Sequence, residues 1–281
     1  MMTRYLIPLS AMLLVGSLAS AKRAAPPPLM LRVPVVDAVV LGKVTGFGEK
    51  LVPAEMFKGD TSEMQVARVK VDEVLQGRAG PKEIQVGFFP SPGRGARNPI
   101  PAVEVNEECC FFLTRHPTRA NLYILRNWYD VHSKKDSSDF TKEMQEVRKT
   151  VKLLANPAAS LASRDAEERY LTAALLITQY RTMRTGTEKL QAIPAAESKQ
   201  ILTILAEADW AGTNPRQAIG LAPRGLFFRL GITEKDGWKP PQDFSKLSDE
   251  AKKWLRDNAG TYRLKKFVPA DRVEPDPEPS R

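Results

Sequence analysis

A chain of 281 residues with 42% hydrophobic content can bury a sizeable core, as one large domain or two ordinary ones. Its net charge of +9 comes from Lys and Arg spread along the sequence, not from the clustered basic face that a specific nucleic-acid binder needs. Two adjacent cysteines and two histidines offer no zinc-site spacing, and no H-E-x-x-H, G-x-S-x-G, glycine-rich phosphate loop or D-x-D-x-D-G calcium loop occurs.

In chain order, MMTRYLIPLSAMLLVGSLASAKR carries Arg4, an apolar run from Tyr5 to Leu18, and the small-x-small pattern Ala19-Ser20-Ala21. Residues 1–21 are therefore expected to act as a secretory signal cleaved before Lys22. The alternative is an uncleaved anchor, but the run is shorter than the ~20 residues that span a bilayer. No transmembrane span is expected after cleavage, and the chain is expected in the periplasm or outside the cell. Residues 22–34 read as an extended Pro-rich segment.

Residues 35–135 read as strands. VDAVVLGKVTGF is rich in β-branched residues. In MQVARVKVDEV, Ala67, Val69 and Val71 alternate with Arg68, Lys70 and Asp72. EIQVGFF places Ile84, Val86 and Phe88 on one face, ECCFFLT is apolar on both faces, and NLYILRNWYDVH supplies one or two further strands. Turn-rich stretches separate them, including the long basic loop SPGRGARNP with Arg94 and Arg97.

Helical periodicity takes over near residue 136. Residues 136–156 read as a helix capped by Asp139 or Thr141, with Met144, Val147, Val151 and Leu154 on one stripe. Residues 157–267 read as a helical domain. Ser163 is the expected cap of a helix apolar nearly all round from Tyr170 to Ile177, Pro194 opens a third helix, and Ser248 is the expected cap of a fourth ending before Gly260. GTYRLKKFV interleaves Tyr262 and Phe267 with Arg263, Lys265 and Lys266, and reads as a docking strand or an anionic-partner contact. Residues 268–281 read as a disordered tail.

The stretches Asp37–Val44, Val69–Gly77 and Asn106–Leu113 resemble the netrin/TIMP-like modules of exported bacterial proteins. These run D-x-V-V-x-G-x-V, V-x-V-x-x-V-L-K-G and G-E-x-Y-L-x-F-L. The helical half is similar to the C-terminal regions of uncharacterised exported bacterial proteins. The resemblance implies an OB-type barrel, so the expected fold class is α+β, an N-terminal OB-like β-barrel followed by an all-α C-terminal domain. It does not imply metalloprotease inhibition. The animal inhibitors chelate the protease zinc through an N-terminal cysteine, and none stands near Lys22.

Cys109 and Cys110 occupy apolar positions of that pattern. Adjacent strand residues face opposite ways, and Cα atoms ~3.8 Å apart fall short of the 4.4–6.8 Å that a disulfide prefers. Buried thiols are the favoured reading, with an intermolecular bridge or a metal or redox site as alternatives. His116 and His132 read as structural, as do the acid pairs Glu107–Glu108 and Glu167–Glu168. The sequence thus points to a non-catalytic interaction or structural module without cofactor or metal, whose partner is a protein or a cell-surface polymer. Its candidate contacts are Arg94, Arg97, Arg263, Lys265 and Lys266. A polyanion binder is the alternative, favoured if Arg94, Arg97, Lys265 and Lys266 share a face with Lys134 and Lys135. An exported enzyme is the third.

Overall fold

The computed structural model describes residues 25–77, 82–89, 103–184, 189–212 and 220–268. The expected signal, Arg94, Arg97 and the tail beyond Val268 lie outside the described residues. After a one-turn helix α1 (Leu29–Arg32) and a 3-10 turn (Val33–Val35), the strands follow as β1 (Ala38–Phe47), β2 (Val52–Pro53), β3 (Glu63–Gln76), β4 (Glu83–Phe88), β5 (Glu108–Arg115), β6 (Leu122–Ile124) and β7 (Val131–Ser133). Then come α2 (Phe140–Ala155), α3 (Pro157–Leu161), α4 (Ala166–Tyr180), β8 (Lys189–Ala192), α5 (Ala195–Glu207), α6 (Pro223–Arg229), α7 (Leu247–Asn258) and β9 (Lys265–Val268).

The first seven strands form one mixed sheet in the order β1-β3-β4-β6-β5-β7, with β2 on β3 and a further pairing of β1 with β5. The β4–β6 pairing is parallel and the others are antiparallel. This corrects the expected OB-like β-barrel followed by an all-α domain. The strands make a mixed seven-stranded sheet, and helices and strands are interspersed along the chain. The helical half holds its own antiparallel pair, β8 with β9. The physical reason is visible in KKFV. Four residues with an apolar end are too few to bury a helical stripe, but they can hydrogen-bond to a neighbouring extended segment.

The alternation read from the sequence positions this sheet. Ala67, Val69, Ile84, Val86 and Phe88 join Cys109, Phe111 and Leu113 in one core. The opposite face of β5 presents Cys110 and Phe112, which pack with Val33, Val36, Val39, Met144 and Val147. ECCFFL is apolar on both faces because it lies between two cores, and α2 covers the second. Asp139 caps α2 by accepting the Lys142 N–H at 3.1 Å. The buried stripe of α2 is Met144, Val147, Thr150 and Leu153, rotated from the expected Val151 and Leu154. Leu154 is partly buried and touches both the sheet-side and the helical core.

The helical half packs around Phe227, whose ring lies 4.8 Å from that of Trp238 and 6.0 Å from those of Trp210 and Trp254. The indole N–H of Trp254 donates to the Asp236 carbonyl and that of Trp210 to Leu205, so the aromatic hub buries no orphan donor. The cap of α4 is Asp165, not Ser163, which instead accepts the Asp165 N–H. Ser248 lies inside α7, which begins one residue earlier.

The two halves meet at α4 and the 3-10 turn. Arg184, just past α4, pairs with Asp37 at 2.8 Å and donates to the Pro34 carbonyl. The other oxygen of Asp37 accepts the Arg115 N–H at the end of β5. One carboxylate thus joins the sheet, the N-terminal segment and the helical half.

Candidate binding site

At this seam a cavity of ≈ 170 Å³ opens between α1, the end of β5, the β6–β7 connection and the end of α4. Its lining includes Pro27, Leu31, Arg32, Val35, Val36, Thr114, Arg126, Asn127, Tyr129, Asp130 and Thr182. Arg32 sits on its wall only 6% exposed. The short α1 turn and the 3-10 turn behind it pack Leu29, Val33 and Val36 under the sheet. That anchoring carries the arginine between them inward.

The guanidinium of Arg32 donates from Nε to the Pro27 carbonyl at 2.9 Å and from Nη1 to the Tyr129 carbonyl. It lies 5.6 Å from the centre of the Phe112 ring and 5.4 Å from that of Tyr129. Among the described residues, no ion pair joins it to a carboxylate. Burial pulls the guanidinium below its ordinary pKa, with the charge of Asp130 opposing. Asp130 lines the same cavity. Its Oδ2 accepts the N–H groups of Arg126 at 2.9 Å and Asn127 at 2.8 Å, closing the 3-10 turn Trp128–Asp130. Burial raises its carboxyl above the usual range, and those amides oppose the shift. The result is a buried cation whose nearest negative group is already engaged by backbone.

The residues singled out from sequence are placed as follows. Cys109 and Cys110 are free and buried on opposite faces of β5. Burial pushes the Cys109 thiol up to about 12 and raises Cys110 further above its ordinary value. Both stay protonated at neutral pH, and the thiolate is the nucleophile and metal ligand. His116 is buried, with Nε2 against the Ala54 carbonyl at 2.5 Å and Nδ1 accepting the N–H groups of Thr118 and Arg119. The ring fastens the β2 region to the β5–β6 turn. His132 pairs with Glu143 at 2.6 Å and stacks on Phe140, fastening α2 to β7.

Of the expected partner contacts, Arg263 donates from two guanidinium nitrogens to the Ile193 carbonyl, while Lys265 is exposed at the start of β9 and Lys266 is half-buried. Lys134 pairs with Glu108, and Lys135 pairs with Glu104 and, more loosely, with buried Glu107. Glu107 and Glu108 diverge, as strand neighbours must: one is buried beside Ser133 and the other is exposed.

A second cavity, of ≈ 290 Å³, lies between α4 and α5 beside Glu167, Glu207 and Asp209. The described residues contain no group of three or more His, Cys, Asp or Glu that could hold a metal ion. Nor do they contain a helix long and apolar enough to cross a membrane.

Sequence reasoning missed the Arg32 site. The available signal was an arginine flanked by Leu29, Met30, Leu31 and Val33, and an aspartate inside the aromatic run NWYDVH. Either one in an apolar stretch announces a buried charge. Nothing local announces that the two share a cavity, because 97 positions separate Arg32 from its acceptor on Tyr129. No family model matches the chain, and no curated protein matches it.

Proposed function

We propose that this chain is a non-catalytic, exported interaction module whose partner inserts a group into the seam cavity. The observation that carries this reading is Arg32, buried at the cavity wall without an ion-paired carboxylate among the described residues. Isolated buried charge is costly and is ordinarily compensated by a partner of opposite sign. A site between two packed layers is also where ligand clefts are commonly found.

The alternative of a polyanion binder is less well supported. Lys134 and Lys135 hold partners within the chain, and Arg263 is spent on a backbone carbonyl. The export part of the proposal rests on the N-terminal sequence, and N-terminal sequencing of secreted protein should begin at Lys22.

The test of the reading is differential capture from native envelope extract. The wild-type chain and an Arg126→Glu variant, which reverses an exposed charge at the cavity rim, are compared by mass spectrometry. A component retained by wild type and lost with Arg126→Glu supports the reading. Identical capture by both proteins would sink it.

A further inference from the structure

The chemistry of the seam cavity, if the reading above holds, narrows the group it takes. We infer that the cavity binds a carboxylate carried on a short apolar stem, either a small aliphatic acid or the C-terminal end of a peptide.

Three observations lead there. The first is the geometry left on Arg32. Nε and Nη1 are committed to the Pro27 and Tyr129 carbonyls, while Nη2 makes no hydrogen bond to a described residue. Nη2 is thus left to donate to a ligand, a charge-assisted hydrogen bond that a carboxylate oxygen accepts. The second is local charge. With Asp130 on the same wall, a dianion such as phosphate leaves more uncompensated negative charge in the site than a monoanion does, and uncompensated buried charge is costly. The third is the lining. Leu31, Val35 and Val36 supply an apolar wall next to the cationic one. A phosphate or sulfate has nothing to place there, whereas a methylene stem or an apolar C-terminal side chain removes that wall from water. Capture of a carboxylate end in a preformed pocket is an established recognition mode.

The experiment is a nitrogen–proton correlation titration of the full chain, at matched ionic strength, with sodium butyrate, sodium phosphate, and tri-alanine with a free or an amidated C-terminus. Saturable shifts of the Thr114, Tyr129 and Thr182 amides with butyrate or with free tri-alanine are expected. Neither phosphate nor the amidated peptide should produce them. Butyrate alone points to a small acid, and free tri-alanine to a peptide end. Arg32→Lys should weaken binding at least about tenfold, the factor that ~1.4 kcal/mol represents, because a compact ammonium cannot hold the Pro27 and Tyr129 carbonyls and still place a donor where Nη2 stands. Should that variant not fold, Thr182→Trp fills the cavity from a half-buried position on its lining and should abolish the shifts while leaving the rest of the spectrum in place. Saturation by phosphate with none by carboxylates overturns the ligand class but leaves the cavity reading standing. No saturation by any probe also overturns the carboxylate inference. Differential capture with Arg126→Glu then decides the cavity reading by itself.

Discussion

Cys109 and Cys110 look alike in sequence and differ in surroundings, so they should differ on substitution. Cys110 is fully buried between β5 and α2 in an apolar cluster, whereas Cys109 stands opposite Ser133 in the β5–β7 register. Cys110→Ser buries a hydroxyl without a polar partner and should cost about 1–3 kcal/mol. Cys109→Ser can share the Ser133 contact and should cost less, an ordering that denaturant melts of the two variants would check. In native protein both thiols should react slowly with a thiol reagent, and two should titrate after denaturation. Fast labelling of the native chain, or a reductant-sensitive dimer, would restore the alternatives. Gly42 is the second residue-scale test. A Cβ there would stand 2.5 Å from the Lys70 carbonyl oxygen and 2.9 Å from a Val69 methyl, where β1 crosses close to β3. Backbone cannot step aside as a flexible side chain can, so Gly42→Ala should lower stability by about 1–3 kcal/mol in thermal melts. Gly59, with open space around its Cβ position, would not meet that clash, although its positive φ strains any replacement.

At the scale of the element, α2 is the piece whose attachment can be titrated. Glu143 in its first turn accepts from Ser137 and pairs with His132 on β7. Burial raises the Glu143 carboxyl, but the hydrogen bonds from Ser137 and His132 outweigh it and hold the group below its usual range. A carboxyl depressed in the folded state contributes stability that is present above its unfolded pKa and lost as pH falls through its folded value. The acid limb of the stability curve should therefore flatten in Glu143→Gln. The loss at neutral pH should stay within about 1 kcal/mol, because the pair is partly exposed to solvent. Equal acid limbs in wild type and variant would show that the link carries no stability. The same helix makes a truncation test. Without α2, Cys110, Phe112 and Val39 lose their cover. A chain ending at Lys135 should unfold without a cooperative transition, while one ending at Asn156 should show one. Indistinguishable melts would mean that the sheet does not need the helix.

Across the whole molecule, one ion pair bridges the parts. Asp37 receives Arg184 from the helical half and the Arg115 amide from β5. Side chains only 24% exposed on both partners set this pair apart from a fully screened surface ion pair. Asp37→Asn takes this charged partner away from Arg184, so it should destabilise the chain by about 1–3 kcal/mol. The calorimetric trace should also broaden or split as the two halves lose their coupling. A single sharp transition at the wild-type temperature would assign the coupling to the apolar contacts of the seam instead.

The sequence alone established the alternation that makes β3 and β4, the β-branched run of β1, the two-sided apolar character of ECCFFL, and the buried helix from Tyr170 to Ile177. These are local facts, because a period of two or 3.6 is written in neighbouring residues. It also counted a disulfide between Cys109 and Cys110 as geometrically poor from backbone spacing, and both thiols are free in the structure. Tertiary structure decided the rest. Whether strands close as a barrel or a mixed sheet depends on which edges meet, and the parallel β4–β6 pairing joins segments that share no local signal. The turn of α2 that faces inward follows from where its neighbours stand, so Leu153 is buried where Leu154 was expected. The basic residues chosen for a partner were chosen by sign, and only the fold shows that Lys134, Lys135 and Arg263 already have partners. Arg32 shows the opposite error. It drew no notice as one charge in an apolar turn, and it became a candidate site because folding brought it to a cavity wall without an ion-paired carboxylate among the described residues. Periodicity is a property of short stretches, whereas compensation of a buried charge is a property of everything packed around it.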